Sequence, residues 1–105
     1  MVIVETAVFT RQVNKLLSDE EYRQLQADLV ARPDVGIIIP GSGGLRKVRW
    51  SVQGRGKRGG SRLIYYWAVA QDQLLMLLIY PKSMQDDLTP AQTKMLRQIV
   101  EAEYP

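Results

Sequence analysis

The chain has 105 residues, 46% of them hydrophobic and 24% charged, with fourteen Lys and Arg against eleven Asp and Glu. That length and balance fit one globular domain over 1–105 and argue against wholesale disorder. Cysteine and histidine are both absent, which excludes disulfides, thiolate nucleophiles, Ser-His-Asp triads and histidine-based metal sites, and removes the usual base at neutral pH.

In chain order, "VIVETAVF" (2–9) is β-branched and roughly alternating, which predicts a strand. The N-terminus carries an acid and no basic flank, so it does not read as a signal peptide. "FTRQVNKLL" (9–17) has Val13, Leu16 and Leu17 at helical spacing, with Thr10 as the candidate N-cap. "SDEEYRQLQADLVARP" (18–33) predicts a second helix. Ser18 and Glu21 form a capping box, Tyr22, Leu25, Leu29 and Val30 share a stripe, and Pro33 closes it. A turn near Ser18 makes the two helices a hairpin.

"GIIIPGSGG" (36–44) is a short extended piece running into a turn. "LRKVRWSVQ" (45–53) alternates, with Val48, Trp50 and Val52 on one side and Lys47, Arg49 and Ser51 on the other. "RLIYYWAVA" (62–70) is a strand, with Leu63, Tyr65 and Trp67 as core. "LLMLLIY" (74–80) is apolar at both parities, which predicts a central strand covered on both faces; it is too short to span a bilayer. "TPAQTKMLRQIVEAEY" (89–104) is a helix with Thr89 as N-cap, Pro90 at the first position, Gln92 completing a capping box, and Met95, Leu96, Ile99 and Val100 as its apolar face. The order β-α-α-β-β-β-α predicts an α+β domain: a small antiparallel sheet with an N-terminal helical hairpin on one face and a C-terminal helix. With no targeting or membrane segment, a cytoplasmic protein is expected.

Charge is segregated. From Val35 to Gln71 there is no acid, while Arg46, Lys47, Arg49, Arg55, Lys57, Arg58 and Arg62 supply half of the fourteen basic residues. Such a region is either a solvated face or the footprint of a polyanion partner, and the excluded acids favour the partner. Its densest part is "GRGKRGGSR" (54–62), where Gly54, Gly56 and Gly59 spell the dinucleotide-binding pattern. That pattern needs a helix after it. A strand follows here, so the stretch is a cationic glycine-rich connection between strands, with an idle turn as the plain alternative. Lys47 and Arg49 on one strand, Arg62 opening the next, and Tyr80 and Lys82 ending the last are placed to converge on one surface. Such a surface suits a phosphodiester, which Arg clamps in bidentate fashion. Trp50 and Tyr66 are candidates to stack on bases, although Trp50 shares the parity of Val48 and Val52 and suits the core. Asp86 and Asp87 are a weak metal pair and suit a turn better.

"GGLRKVRW", "GRGKRGGSRLIYYW" and "LLIYPKSMQDDLTPAQTKMLRQIV" resemble the RelE/HigB group of bacterial toxins, and its HigB-like branch most. The resemblance runs over nearly the whole chain, and the "GxGKRGGxRxIYY" string is its specific part. It implies the small α+β RelE-like fold and a metal-independent endoribonuclease, an mRNA interferase that cuts mRNA in the A site of the 70S ribosome and needs no cofactor. It also implies a cognate antitoxin, a helix-turn-helix protein that carries the pair to operator DNA, and no membrane partner. Carried over by strand position, the matches are Lys47, Arg49, Arg62 and Lys82; Lys57 joins this catalytic set as a candidate base, and Arg46, Arg55, Arg58, Tyr66 and Tyr80 are the candidates to bind RNA. The family's arginine slot past the last strand falls on Lys82 or Ser83. The tyrosine that some members supply near the last helix is absent, with Leu88 and Thr89 there and Tyr80 as the substitute.

The expected chemistry is attack of an RNA 2′-OH on the adjacent phosphate, giving a cyclic phosphate and a 5′-OH. Lys47 or Lys57, crowded by cations, would be the base. Arg49 and Arg62 would stabilise the phosphate's charge, and Lys82 would protonate the leaving oxygen or hold the backbone. A ParE-like gyrase poison, a non-catalytic nucleic-acid-binding module and a structural protein whose basic face meets an acidic partner are the alternatives.

Overall fold

The computed structural model describes residues 1–51 and 60–105; Val52, Arg55, Lys57, Arg58 and most of the glycine-rich loop lie outside the described residues. The chain opens with β1 (Val2–Glu5), α1 (Ala7–Leu16) and α2 (Asp19–Ala31). β1 therefore ends at Glu5 rather than Phe9, and the cap of α1 is Thr6 rather than Thr10. The Thr6 hydroxyl accepts from Phe9 N at 3.1 Å and donates to Leu77 O at 3.0 Å, so one side chain both starts the helix and ties it to the sheet. α2 starts as expected. Ser18 Oγ accepts from Glu21 N at 3.1 Å and Glu21 Oε1 accepts from Ser18 N at 2.7 Å, closing the capping box.

The remaining elements are β2 (Ile37–Ile38), β3 (Arg46–Ser51), β4 (Gly60–Ala68), β5 (Gln73–Pro81) and α3 (Pro90–Glu103). They build one five-stranded sheet in the order β1-β5-β4-β3-β2. The sheet is α+β in setting but mixed, not purely antiparallel: β1 lies parallel to β5, with Val2 opposite Gln73 and Glu5 opposite Met76. The helix pair returns the chain across one face to the opposite edge, which leaves β1 to flank β5 on the side that β4 does not use.

Both faces of the sheet are covered. Phe9, Val13, Leu17, Leu25 and Leu29 of the helix pair pack on Leu63, Tyr65, Leu74, Met76 and Ile79. Leu96 and Val100 of α3 pack on Leu45, Ile64, Leu75 and Leu77. This explains the double parity of "LLMLLIY". Full burial of such side chains is worth about 1.5–3 kcal/mol each, so the layers are held by these residues rather than by helix propensity. Two predicted stripes are narrower than the sequence suggests: Val30 on α2 and Met95 and Ile99 on α3 are exposed, because α3 docks through the i, i+4 pair Leu96 and Val100.

β4 and β5 carry a bulge. Ile64 opposes Leu78 while Tyr65 opposes Met76, so Leu77 is the extra residue, and its carbonyl is the one that Thr6 takes. The bulge reverses the facing of β5 beyond it. Leu75 and Leu77 face α3, and so does Tyr80. At the far end, Tyr65 pins the segment before β2: its hydroxyl donates to Pro33 O at 2.7 Å and accepts from Gly36 N at 2.9 Å. A Cβ at Gly36 would sit 2.8 Å from the Tyr65 ring and hydroxyl, so the close approach requires glycine. No helix among the described residues is long and apolar enough to cross a membrane.

Candidate nucleic-acid site

Strand alternation decides which cations meet. On β3, Lys47, Arg49 and Ser51 face one way and Arg46, Val48 and Trp50 the other. Arg49 pairs with Arg62, and Arg62 pairs with Tyr80, so the three form one row across β3, β4 and β5. Lys47 belongs to the next row, opposite Ile64. These side chains lie on the α3 face, where Arg49 is exposed while Arg62 and Tyr80 are buried, Tyr80 in the same cluster as Leu96 and Val100.

Two arginines side by side repel. The 82–89 loop after β5 relieves this. Asp86 Oδ1 accepts from Arg62 Nη2 at 2.9 Å, and Lys47 Nζ forms an ion pair with Asp87. Arg62 is only 2% exposed, whereas Asp86 and Asp87 are about 70% exposed, at 69% and 71%. The hydrogen bond and charge of Arg62, helped by Lys82 and Lys47, hold the Asp86 carboxyl below the usual carboxylate range. Arg49 is exposed and makes no hydrogen bond or ion pair among the described residues. Tyr80 is 2% exposed; burial, and then the charge of Asp87, push its phenol up, against the opposing charge of Arg62. It is therefore a proton-bearing donor at neutral pH, and its hydroxyl lies 3.4 Å from Asp86 O.

Lys47, Arg49, Arg62, Asp86 and Asp87 line an open groove of ≈ 390 Å³ whose apolar wall is Val35, Ile37 and Val48, with Tyr80 buried beside Arg62 rather than in its lining. Two cations held by the loop acids and the Arg49 guanidinium, without a partner among the described residues, beside an apolar wall are a chemistry for a phosphate ester with an organic flank.

The structure thus brings together Lys47, Arg49, Arg62 and Tyr80. Lys82 is exposed at the rim, with its backbone N bonded to Gly60 O at 3.0 Å. Arg46 is not among them. Its guanidinium bonds Gly36 O at 2.9 Å and lies 6.0 Å from the Trp67 ring centre, on the helix-pair side. Tyr66 is also elsewhere, stacked on Tyr104 at 5.7 Å against α3. Trp50 packs against the helix-pair core, and its indole Nε1 is buried with no partner among the described residues. Arg55, Lys57 and Arg58 lie outside the described residues.

Asp86 and Asp87, which the sequence offered only as a weak metal pair or turn residues, are partners of the site's cations. The acid-free window is a feature of the chain, not of the folded surface, because acids from beyond the window close over it. The expectation that Lys47 stands among cations alone is corrected by Asp87, and both carboxylates of the weak metal pair are engaged by cations. The signal available was two adjacent acids a few residues past a strand whose end lies beside the arginines.

No family model matches the sequence. The fold is similar to that of the toxin in E. coli structures: a chain of the intact RelBE toxin–antitoxin complex (TM-score 0.58, 13% identity, 76% of this chain and 94% of that one), a RelE mutant in the free state (0.58, 16%, 81% and 86%), and the isolated RelE toxin (0.58, 12%, 93% and 97%). At such identities the likeness is one of fold: the chain has the RelE-like α+β architecture.

Proposed function

We propose that this chain is the toxin of a toxin–antitoxin pair, in the HigB-like branch of the RelE-type toxins, and that it cleaves mRNA on translating ribosomes in the cytoplasm. The observation that carries this reading is the row Arg49–Arg62–Tyr80 beside Lys47 on a RelE-like sheet, with Lys47, Arg49 and Arg62 lining an open groove. Arg49 and Arg62 would bind the scissile phosphate and stabilise the charge that builds on it. Tyr80, kept protonated, would donate to a phosphate or leaving oxygen. Lys47, one of the two bases the sequence suggested, is ion-paired with Asp87 and would instead steer the backbone, which leaves Lys57 as the proposed base for the 2′-OH. Lys82, at the rim, would hold the strand, as would Arg55 and Arg58. The attacking 2′-oxygen forms the new P–O bond, the P–O5′ bond breaks, and the products are a 2′,3′-cyclic phosphate and a 5′-OH.

An antitoxin partner follows from the likeness to the toxin of the E. coli RelBE complex. A helix-turn-helix antitoxin that takes the pair to operator DNA completes the reading. Purified chain with 70S ribosomes and mRNA tests it directly. Cut ends should carry a 5′-OH, and a single 2′-deoxy substitution at the mapped site should abolish the cut. Cleavage that persists at the 2′-deoxy position would remove the proposed mechanism. Loss of DNA replication before protein synthesis on expression would favour gyrase poisoning instead.

A further inference from the structure

Arg62 presents an unusual balance. Its guanidinium is held inside the fold at 2% exposure, yet its anion, Asp86, stands 69% in solvent. The same asymmetry holds for Lys47, at 30%, and Asp87, at 71%. The cations belong to the rigid sheet, and the anions belong to a loop that reaches over to them. The loop is anchored by residues just before the acids and by the acids' backbone carbonyls, while their carboxylates meet only the cations among the described residues. Lys82 N donates to Gly60 O at 3.0 Å and Met84 N to Pro81 O at 3.0 Å, while Gln85 Nε2 donates to Gln92 Oε1 at 2.9 Å on α3. Near the acids themselves, the loop has Gln85 Nε2 on Asp87 O at 3.0 Å and Tyr80 on Asp86 O at 3.4 Å.

We propose that Asp86 and Asp87 are internal stand-ins for two neighbouring phosphates, and that the 82–89 loop competes with single-stranded nucleic acid for Arg62 and Lys47. A carboxylate meets a guanidinium through the same planar donor fork that a phosphate uses. A nearly buried guanidinium needs an anion at all times. The loop supplies one until a strand arrives, and because the acids end in water their ion pairs open readily. Two consecutive acids on two adjacent cations mark two subsites, so the ligand must offer successive phosphates along one strand. A lone phosphate would face one subsite still filled. The loop therefore weakens adventitious binding of small anions and stray strands, and a strand held in place by other means outcompetes it. This inference rests on the reading of the groove as a phosphate site.

The test is binding without cleavage. A short 2′-O-methyl RNA strand, which offers phosphates but no attacking 2′-OH, is titrated into the wild-type chain, Asp87→Asn, and Asp86→Asn/Asp87→Asn at several salt concentrations. The double variant should bind about 10-fold tighter at low salt, the scale that two exposed ion pairs support together. Its slope of log affinity against log salt should steepen by about 0.7 for each cation released to the strand. Asp87→Asn leaves the Arg62 pair intact, so it guards against a folding defect and should show part of the gain. Unchanged or weaker binding in both variants overturns the proposal, because the acids then hold the cations in position rather than compete. Absence of binding by all three proteins overturns it as well. Tighter binding by the variants with no ribosomal cleavage would leave the competition standing and remove the nuclease reading; cleavage with no change in binding would do the reverse.

Discussion

Arg49 and Arg62 face each other across β3 and β4, yet their substitutions should behave differently. Arg49 is exposed and unpaired among the described residues, so Arg49→Ala should leave urea stability within about 0.5 kcal/mol of wild type while lowering cleavage about 100- to 1,000-fold. Arg62 is 2% exposed. Arg62→Ala should lower stability by about 1–3 kcal/mol, through lost packing as well as lost charge, in addition to its effect on cleavage. At this scale the sequence was legible where a single strand's alternation decided the answer. Period two put Lys47 and Arg49 together, and hairpin pairing put Arg62 beside them. Tyr80 was placed on the right face for a reason the sequence hides. A strand apolar at both parities gives no sign of a bulge at Leu77, and without that bulge Tyr80 would face the helix pair. Arg46 and Tyr66 carry suitable chemistry, but their parity and position put them on Trp67 and Tyr104.

Among the elements, caps that close on themselves were readable. The Ser18–Glu21 and Thr89–Gln92 boxes each satisfy their donors within four residues, and both are present. The start of α1 was not readable, because Thr6 and Thr10 are equally good caps by type. What decides for Thr6 is its second bond, to Leu77 O on β5, made 71 residues away in sequence. Thr10 instead bonds Glu5 Oε1 at 2.6 Å and Thr6 O at 3.1 Å. Thr89→Ala should cost about 1 kcal/mol. Thr6→Ala should cost more, about 2 kcal/mol, because it also strands a sheet carbonyl; thermal melts of the two variants would order them. Tyr65→Phe should cost about 1–3 kcal/mol, since it leaves Pro33 O and Gly36 N without their partner. It should also loosen Val35 and Ile37, the apolar wall of the groove, without touching a cation.

The whole molecule stores a response to alkali. Burial pushes the phenols of Tyr22, Tyr65, Tyr80 and Tyr104 up, and Glu5, which accepts from the Tyr22 hydroxyl at 2.5 Å, adds to the shift there. The folded chain keeps these protons at a pH where the unfolded chain has released them. Stability is then full below about pH 10 and is lost as pH rises through the folded values. Equilibrium unfolding followed from pH 8 to 12 should show this decline, and Tyr22→Phe should flatten it. The mixed sheet belongs to the same scale. The order of elements was legible from local patterns, but the parallel pairing of β1 with β5 is a contact between the two ends of the chain, and no local pattern encodes it. The same holds for Asp86 and Asp87, which meet Arg62 and Lys47 only once the sheet has formed.

The central claim is that the Arg49–Arg62 row stabilises a phosphodiester during cleavage. Single-turnover cleavage of ribosome-bound mRNA by the wild-type chain and Arg49→Ala, with equal binding saturation and equal folded fraction, tests it most directly. The account predicts a rate about 100- to 1,000-fold lower for the variant at an unchanged cut site; equal rates, or no cleavage by the wild-type chain, would contradict it.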